Sequence, residues 1–393
     1  MKRGKEALRE LYNFEGFSLT DICKENSVII QMKKKGKTGI CPVCNKKRRK
    51  VIETRIRKIR DDNIAKEKCF IALKVYRIIC KGCFRGMEKL DFILPGERFT
   101  ERFANYICEL CEKMTLKDVA RMAMIDWRTA KRIDKKKLKE KFKDLRNIKP
   151  IRIGVDEIAH EKGHKYLTIV RDLDAGVIWV GEKRKKETLD QFFNELGKKK
   201  CKQITVAVID MWDPYIKSIK DNTNAEIVFD KFHIAKKINE AVDQIRKKEF
   251  AKADKEERIK MKHKRFLILY RNKNLNKEQE KDLNELMDQN KKLYEAYLLK
   301  EQALSIFDRR QKNVALERLQ IWKENIKKAN IEEFQKLLKT FDHYWYGIEN
   351  YFTHHVTNGA SEGYNNKINI IKRRAYGFID IEYFKLKILQ SCS

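Results

Sequence analysis

The sequence predicts a multidomain α+β chain: a cysteine-bearing, β-rich head, a short helical pair, and an α/β core interrupted by an all-helical insertion. Three observations predict it. Two Cys-x-x-Cys pairs flank strand-like segments between residues 41 and 83. Short apolar strands alternate with helical spacing from Pro150 to Asp230. Residues 242–351 then carry helical periodicity without a proline.

With 393 residues, 42% of them hydrophobic and 10% aromatic, the chain has material for several cores and is no disordered polyelectrolyte. No apolar run reaches the roughly 18 residues of a membrane span. The opening MKRGKEALRELYNFEG lacks the apolar stretch of a signal peptide, so a cytoplasmic protein without a membrane partner is expected. The net charge is +33, and residues 1–150 hold 41 basic against 20 acidic side chains. An excess of this size calls for a polyanion, and nucleic-acid phosphate is the commonest one.

The head, residues 1–99, contains Cys41-Pro-Val-Cys44 and Cys80-Lys-Gly-Cys83. Each pair forms a knuckle that brings two thiolates to one ion, and two knuckles complete a tetrahedron. No histidine precedes His160, so a site here is all-cysteine: Cys41, Cys44, Cys80 and Cys83 around Zn²⁺ in a zinc ribbon. Cys108 and Cys111 lie in a helical pattern where i and i+3 cysteines usually face a core. Cys23, Cys69, Cys201 and Cys392 read as ordinary cysteines.

Residues 100–149 read as a helix-turn-helix followed by a basic linker. Thr115 can cap the first short helix and Asp126 the second. Ala130 and Ile133 then face inward, leaving Trp127, Arg128, Thr129, Lys131 and Arg132 for the major groove of double-stranded DNA. Met124 stands where the turn usually has glycine, and a plain helical hairpin fits the same pattern. The Lys-rich 135–149 stretch, with Arg146, is the basic helix or linker.

After Pro150 come three antiparallel strands, then helix, strand, helix and strand. That is the order of an RNase H-like core, here residues 150–241. Its first and fourth strands would lie side by side, bringing Asp156 and Asp210 together. Adjacent carboxylates repel and are tolerated chiefly around a cation, and hard oxygen donors suit Mg²⁺ or Mn²⁺. Residues 242–351 form the helical insertion, which grips DNA, dimerises or simply solvates its charged faces. Residues 352–393 return to the core. A helix starting near Ser361 sets Glu362, Asn365, Asn366, Asn369 and Arg373 on one side. That face suits a metal ligand beside phosphates, and equally an exposed polar face with Glu362 at the positive end of the helix dipole.

Several segments together resemble the ISL-three family of bacterial insertion-sequence transposases. They are the CPVC and CKGC knuckles, TLKDVARMAMIDWRTAKRID, GVDEIAHEKGHKYLTIVRDLDAG, DMWDPYIKSI, VFDKFHIAKKINEAVDQIR and TNGASEGYNNKINIIKRRAYGF. The resemblance implies an RNase H-fold enzyme with a DDE triad of Asp156, Asp210 and Glu362 binding Mg²⁺ or Mn²⁺. It implies a transposase that recognises the terminal inverted repeats of its element, cleaves them and joins the ends to target DNA. Lys367, Lys372, Arg373 and Arg374 would hold phosphates, and cutting two ends in one assembly implies a homodimer on DNA, in a prokaryotic nucleoid. Glu157, beside Asp156 but on the opposite strand face, reads as a capping residue; in VFDKFHI, Asp230 is placed to reach the metal site or a DNA end, and His233 either contacts phosphate or packs at the start of its helix. The rival readings are a domesticated DNA-binding regulator without strand chemistry, and a nuclease that cuts without joining.

Overall fold

The computed structural model describes residues 10–93, 96–145, 148–161, 163 and 165–393. Arg146 of the basic linker and residues 1–9 of the opening segment lie outside them. The chain divides into two compact units, 1–143 and 144–393.

The first unit contains more sheet than a ribbon alone. Strands β1 (Phe17–Lys24), β2 (Val28–Lys34), β5 (Val51–Ile64), β6 (Glu67–Cys80) and β7 (Phe84–Met87) form one sheet. Its order is β1-β2-β6-β5, with β7 also pairing with β6, and β2 runs parallel to β6. The reason is visible in β6, where Cys69, Ile71, Leu73 and Val75 are buried at alternate positions. With Tyr12, Phe17, Ile30, Met32 and Ile59 they make one core, for which the β1–β2 hairpin supplies a wall. The short hairpin β3 (Gly39–Ile40) and β4 (Lys47–Arg48) carries the first knuckle.

Three helices follow: α1 (Glu101–Lys113), α2 (Leu116–Ala123) and α3 (Trp127–Lys141). Thr115 caps α2 by accepting from the Asp118 N–H, and Asp126 caps α3 by accepting from that of Arg128. Met124 adopts φ +53°, the left-handed turn that glycine usually provides. Val119, Ala123, Ala130 and Ile133 pack with Phe103 and Ile107 of α1. Cys111 is buried in that core. Buried Arg60 of β5 donates to the Ala123 carbonyl at 3.0 Å, tying the end of α2 to the sheet.

The second unit is built on strands β8 (Arg152–Glu161), β9 (Lys165–Asp172), β10 (Gly176–Glu182), β11 (Val206–Ile209) and β12 (Glu226–Phe229). Their order, β10-β9-β8-β11-β12, is the RNase H-like arrangement: an antiparallel meander with two parallel strands added beside its first member. Helices α4 (Lys186–Leu196), α5 (Lys198–Cys201) and α6 (Asp213–Asn222) connect these strands. The apolar side chains of α4 and α6 share a core with Ile153 and Val155.

The insertion begins in α7 (Lys231–Lys252) and continues through α8 (Lys255–Met261), α9 (Arg265–Leu269), α10 (Lys277–Gln289), α11 (Lys291–Ile306), α12 (Lys312–Ala329), α13 (Glu332–His343) and α14 (Trp345–His354). Helical spacing runs through 278–299, but the helix is broken at Asn290, whose side chain accepts from the Leu293 N–H and starts α11 afresh. Trp322, Phe334, Phe341 and Ala303 are fully buried within it, each large side chain contributing about 2 kcal/mol of burial. Buried Lys300 donates to the carbonyls of Ile268 (2.8 Å) and Tyr270 (2.6 Å), anchoring the end of α9. Finally α15 (Ala360–Arg374) and α16 (Ile381–Cys392) return to the sheet. Ile368, Phe384, Ile388 and Cys392 cover its other face, against Ile158, Leu167, Ile169, Val177 and Val180.

Candidate functional sites: a thiolate cluster and a carboxylate centre

The strand β6 ends on Cys80, and the turn into β7 carries Cys83; Gly82 between them has φ +70°. The opposing knuckle closes through a hydrogen bond from the Asn45 N–H to the Cys41 carbonyl (2.9 Å), with Asn45 itself at φ +56°. The four sulfurs of Cys41, Cys44, Cys80 and Cys83 lie within 4.8 Å of one another. Cys41–Cys83 and Cys44–Cys80 are each 3.7 Å apart. A tetrahedron with metal–sulfur bonds of about 2.3 Å has edges of about 3.8 Å, so the cluster fits Zn²⁺. The Lys46 backbone N–H directed at Cys44 holds its thiol down at about 6. Arg48 lies beside the cluster, its Nε 3.0 Å from Cys80 Sγ and one Nη 3.8 Å from Cys44 Sγ. Sequence reasoning missed this guanidinium, which offsets the excess negative charge of four thiolates on a dication.

On the helical pair, Trp127, Arg128 and Arg132 are exposed, while Thr129 and Lys131 are half-buried. Arg132 pairs with Glu97, so its surface charge is partly engaged.

In the core, parallel register sets the acids. Val208 pairs with Gly154, and two residues further on each strand stand Asp210 and Asp156. Ile209 pairs with Phe229, so Asp230 follows at the same level on β12. Three aspartates thus sit side by side at one level of three adjacent strands, two of them just past the carboxyl ends of β11 and β12, where open α/β sheets bind ligands.

Asp156 and Asp210 each cap locally, accepting the next residue's N–H at 2.8 and 2.6 Å. Asp230 is buried and accepts from the backbone N–H groups of Phe232 and Asn358, starting α7 and fixing the loop before α15; burial raises its pKa. His233 Nδ1 lies 3.6 Å from Asp210 Oδ2.

The helix α15 meets β8 through Asn365, whose Nδ2 donates to Asp156 Oδ2 at 3.0 Å. Glu362 is exposed in the first turn, three residues earlier and about 4.5 Å back along the helix axis. Among the described residues only the four cysteines form a group of three or more ligating side chains within 4.8 Å. Asp156, Asp210 and Glu362 thus do not converge to one point.

Sequence reasoning also missed the residues that organise this centre. Glu157 faces away from Asp156, as alternation requires, and pairs with Arg184 at 2.6 Å. Burial, opposed by Arg184 and reinforced by the charges of Asp156 and Asp210, pushes its carboxyl up to about 7. Arg184 also lies 3.9 Å from Asp210 Oδ2 and 4.3 Å over the Trp212 ring. It was concealed in the Lys-Arg-Lys-Lys run after β10, whereas Trp212 stood in DMWDPY. Buried Arg171 donates to the side chain of buried Asn358 and stacks 5.1 Å over Tyr364. Gly154 makes room for this contact, since a Cβ there would stand 2.5 Å from Asn358 Oδ1. Carboxylate oxygens are the hard donors that a divalent cation takes, and the Arg184 guanidinium between Glu157 and Asp210 offsets part of their charge in its place. Of the basic residues expected on phosphates, Lys367, Arg373 and Arg374 are exposed and Lys372 is half-buried.

A transposase family model covers residues 153–388, more than half of the chain. The chain belongs to the ISL3 family of transposases. A helix-turn-helix domain of the same family matches residues 88–136, and the zinc finger of the IS204/IS1001/IS1096/IS1165 transposases matches 37–83. The chain is 31% identical to the transposase for insertion sequence element IS1001 of Bordetella parapertussis, over 91% of this chain and 90% of that one. It is 27% identical to the IS1557 transposase of Mycobacterium tuberculosis, over 70% and 66% of the two chains. The protein is thus a DNA-acting transposase enzyme with a zinc ribbon, a helix-turn-helix and a DDE-type core. No helix among the described residues is long and apolar enough to cross a membrane.

Proposed function

We propose that this transposase binds the terminal inverted repeats of its own element and cleaves and joins DNA strands through Asp156, Asp210 and Glu362. The observation that carries the reading is the contact of Asn365 with Asp156, which docks the Glu362 helix onto the strand bearing the first acid. The three carboxylates would hold Mg²⁺ or Mn²⁺, which when bound activates the attacking oxygen and stabilises the leaving one.

In cleavage, water attacks the phosphorus at the element boundary, the P–O3′ bond breaks, and a free 3′-hydroxyl remains. In joining, that hydroxyl attacks a target phosphodiester, forming one P–O bond as another breaks, so no further energy source is required. His233, 3.6 Å from Asp210, stands where it can orient that carboxylate or accept a proton. Lys367, Lys372, Arg373 and Arg374 neutralise backbone phosphates, and Trp127, Arg128, Thr129, Lys131 and Arg132 read the repeat. Functionally we divide the chain into a ribbon head (1–99), helix-turn-helix and linker (100–149), core (150–241 and 352–393) and insertion (242–351). The active species is a homodimer on DNA, working at the prokaryotic nucleoid in the cytoplasm.

The test incubates the protein and its Glu362→Gln variant with a plasmid carrying the gene's flanking DNA, in Mg²⁺ or Mn²⁺. Breaks at repeat boundaries and joined products, both absent with the variant, are expected. Specific binding without breaks would leave a DNA-binding regulator, breaks without joining a nuclease, and equal cutting by the variant would remove Glu362 from the site.

A further inference from the structure

Beyond its last turn, the helix that carries Glu362 presents an aromatic ring to solvent. The Tyr376 N–H bonds the Arg373 carbonyl and the Gly377 N–H that of Lys372, both at 3.0 Å, so the chain closes the helix tightly. Tyr376 takes φ +53° and Gly377 φ +99°. A bulky side chain in the left-handed region is strained, and nothing in the fold's own packing uses the ring, which is 99% exposed. Two residues on, Phe378 stacks on Phe384 with centroids 4.6 Å apart, so the loop is anchored while Tyr376 and the fully exposed Ile379 project from it. Just before it in the chain, the last turn of α15 carries Lys372, Arg373 and Arg374, with exposed Ile370 one turn earlier.

An exposed aromatic beside a basic helix end fits single-stranded nucleic acid: cations take the phosphates and the ring stacks on a base, whatever its identity. The cations stand on a helix of the transposase core, so DNA rather than an anionic lipid surface is the polyanion at hand. We propose that Tyr376 stacks on an unpaired nucleobase of the DNA being processed. The proposal rests on the assignment of Glu362 to strand chemistry. From Glu362 to Arg374 the helix rises about 18 Å. A strand following α15 covers that length in about five nucleotides. On that path the base lies roughly five nucleotides from the phosphate under attack.

The test uses the full-length, zinc-loaded protein without added Mg²⁺ or Mn²⁺ and a mixed-sequence 30-base-pair duplex, either blunt or ending in a five-nucleotide fork. A 2-aminopurine is moved through the fork one position at a time. Wild type and Tyr376→Phe are expected to prefer the fork and to change the fluorescence at one position. Tyr376→Asn, which suits the left-handed backbone but lacks the ring, is expected to lose about 5- to 100-fold in fork affinity. It should also lose the fluorescence change while binding blunt duplex as wild type does. Retention of fork preference and signal by Tyr376→Asn would overturn the proposal. So would a change from dimer to monomer by light scattering with DNA binding intact, which would make the ring a contact between copies. Because binding is read without added Mg²⁺ or Mn²⁺ and also in Glu362→Gln, the two readings fail separately. Intact fork preference with cleavage surviving Glu362→Gln would sink the catalytic assignment; loss of cleavage in Glu362→Gln with no Tyr376-dependent fork preference would sink this one.

Discussion

The two candidate metal centres of this chain differ in how far the fold assembles them on its own. In the ribbon, two knuckles with left-handed residues at Asn45 and Gly82 bring four sulfurs to within 4.8 Å. In the core, Asp156 and Asp210 share a level on adjacent strands, while Glu362 stands a helical turn from the nearest contact and Arg184 leans between Glu157 and Asp210. A closed, sulfur-rich site holds an ion as part of the fold. An open, oxygen-rich site keeps positions for substrate oxygens and lets amides and a guanidinium occupy the acids meanwhile. Structural and catalytic metal chemistry are separated by geometry as much as by ligand type.

The strongest way to break that contrast is Cys80→Ala. Structural zinc contributes about 10 kcal/mol or more to small folds. The variant should lose its zinc by elemental analysis and expose the β3–β4 and β6–β7 segments to protease, with the melting of residues 144–393 unchanged. A core that melts with the ribbon would show that the two centres are not independent.

Next in size is the response of the core to Mn²⁺. At a hundred times its dissociation constant, a bound ion raises stability by about 2.7 kcal/mol. A thermal shift of the wild type that disappears in Asp156→Asn is the expected result; an equal shift in both would place the ion elsewhere. Gly154→Ala should cost about 1–3 kcal/mol, because its Cβ would press on Asn358 and displace the approach to α15. Strand cleavage should fall while zinc content stays constant, and unchanged cleavage would show that the Asn358 contact does not position Glu362.

Glu157 sharpens the comparison through pH. Its folded pKa of about 7 lies above that of an unfolded glutamate. The native chain therefore binds more protons than the unfolded one between about pH 4.3 and 7. Without added divalent cation, stability should decline across that window and level off above it, and Glu157→Gln should flatten the slope in melting curves. The smallest effect is expected at Arg48→Ala. Loss of its hydrogen bonds to Cys80 and Cys44 should weaken zinc about 10- to 100-fold in chelator competition without unfolding the head.

The sequence displayed what local periodicity and spacing encode. The knuckles, the Thr115 and Asp126 caps, the strand order and the adjacency of Asp156 and Asp210 could all be read from it. Contacts made between distant segments could not. Arg184 is one cation in a run of four, and nothing local says that it will meet Glu157 and Trp212. Arg171 and Asn358 are 187 positions apart, joined only once the insertion has looped out and the chain has returned. The β1–β2 hairpin was hidden for a related reason: its half-exposed strands alternate weakly, and only the continuous apolar face of β6 reveals what they cover.

The late position of α15 and α16 sets an order of events during synthesis. The head, a compact unit of its own, leaves the ribosome long before residues 360–392 are made. Until those residues appear, Ile368, Phe384 and Ile388 are not there to cover the sheet, and Asn365 is not there to bond Asp156. On the proposed assignment of Glu362, a nascent or interrupted chain can therefore fold its head while still lacking the third acid. On the proposed reading, the acids come together only after the whole insertion has been made.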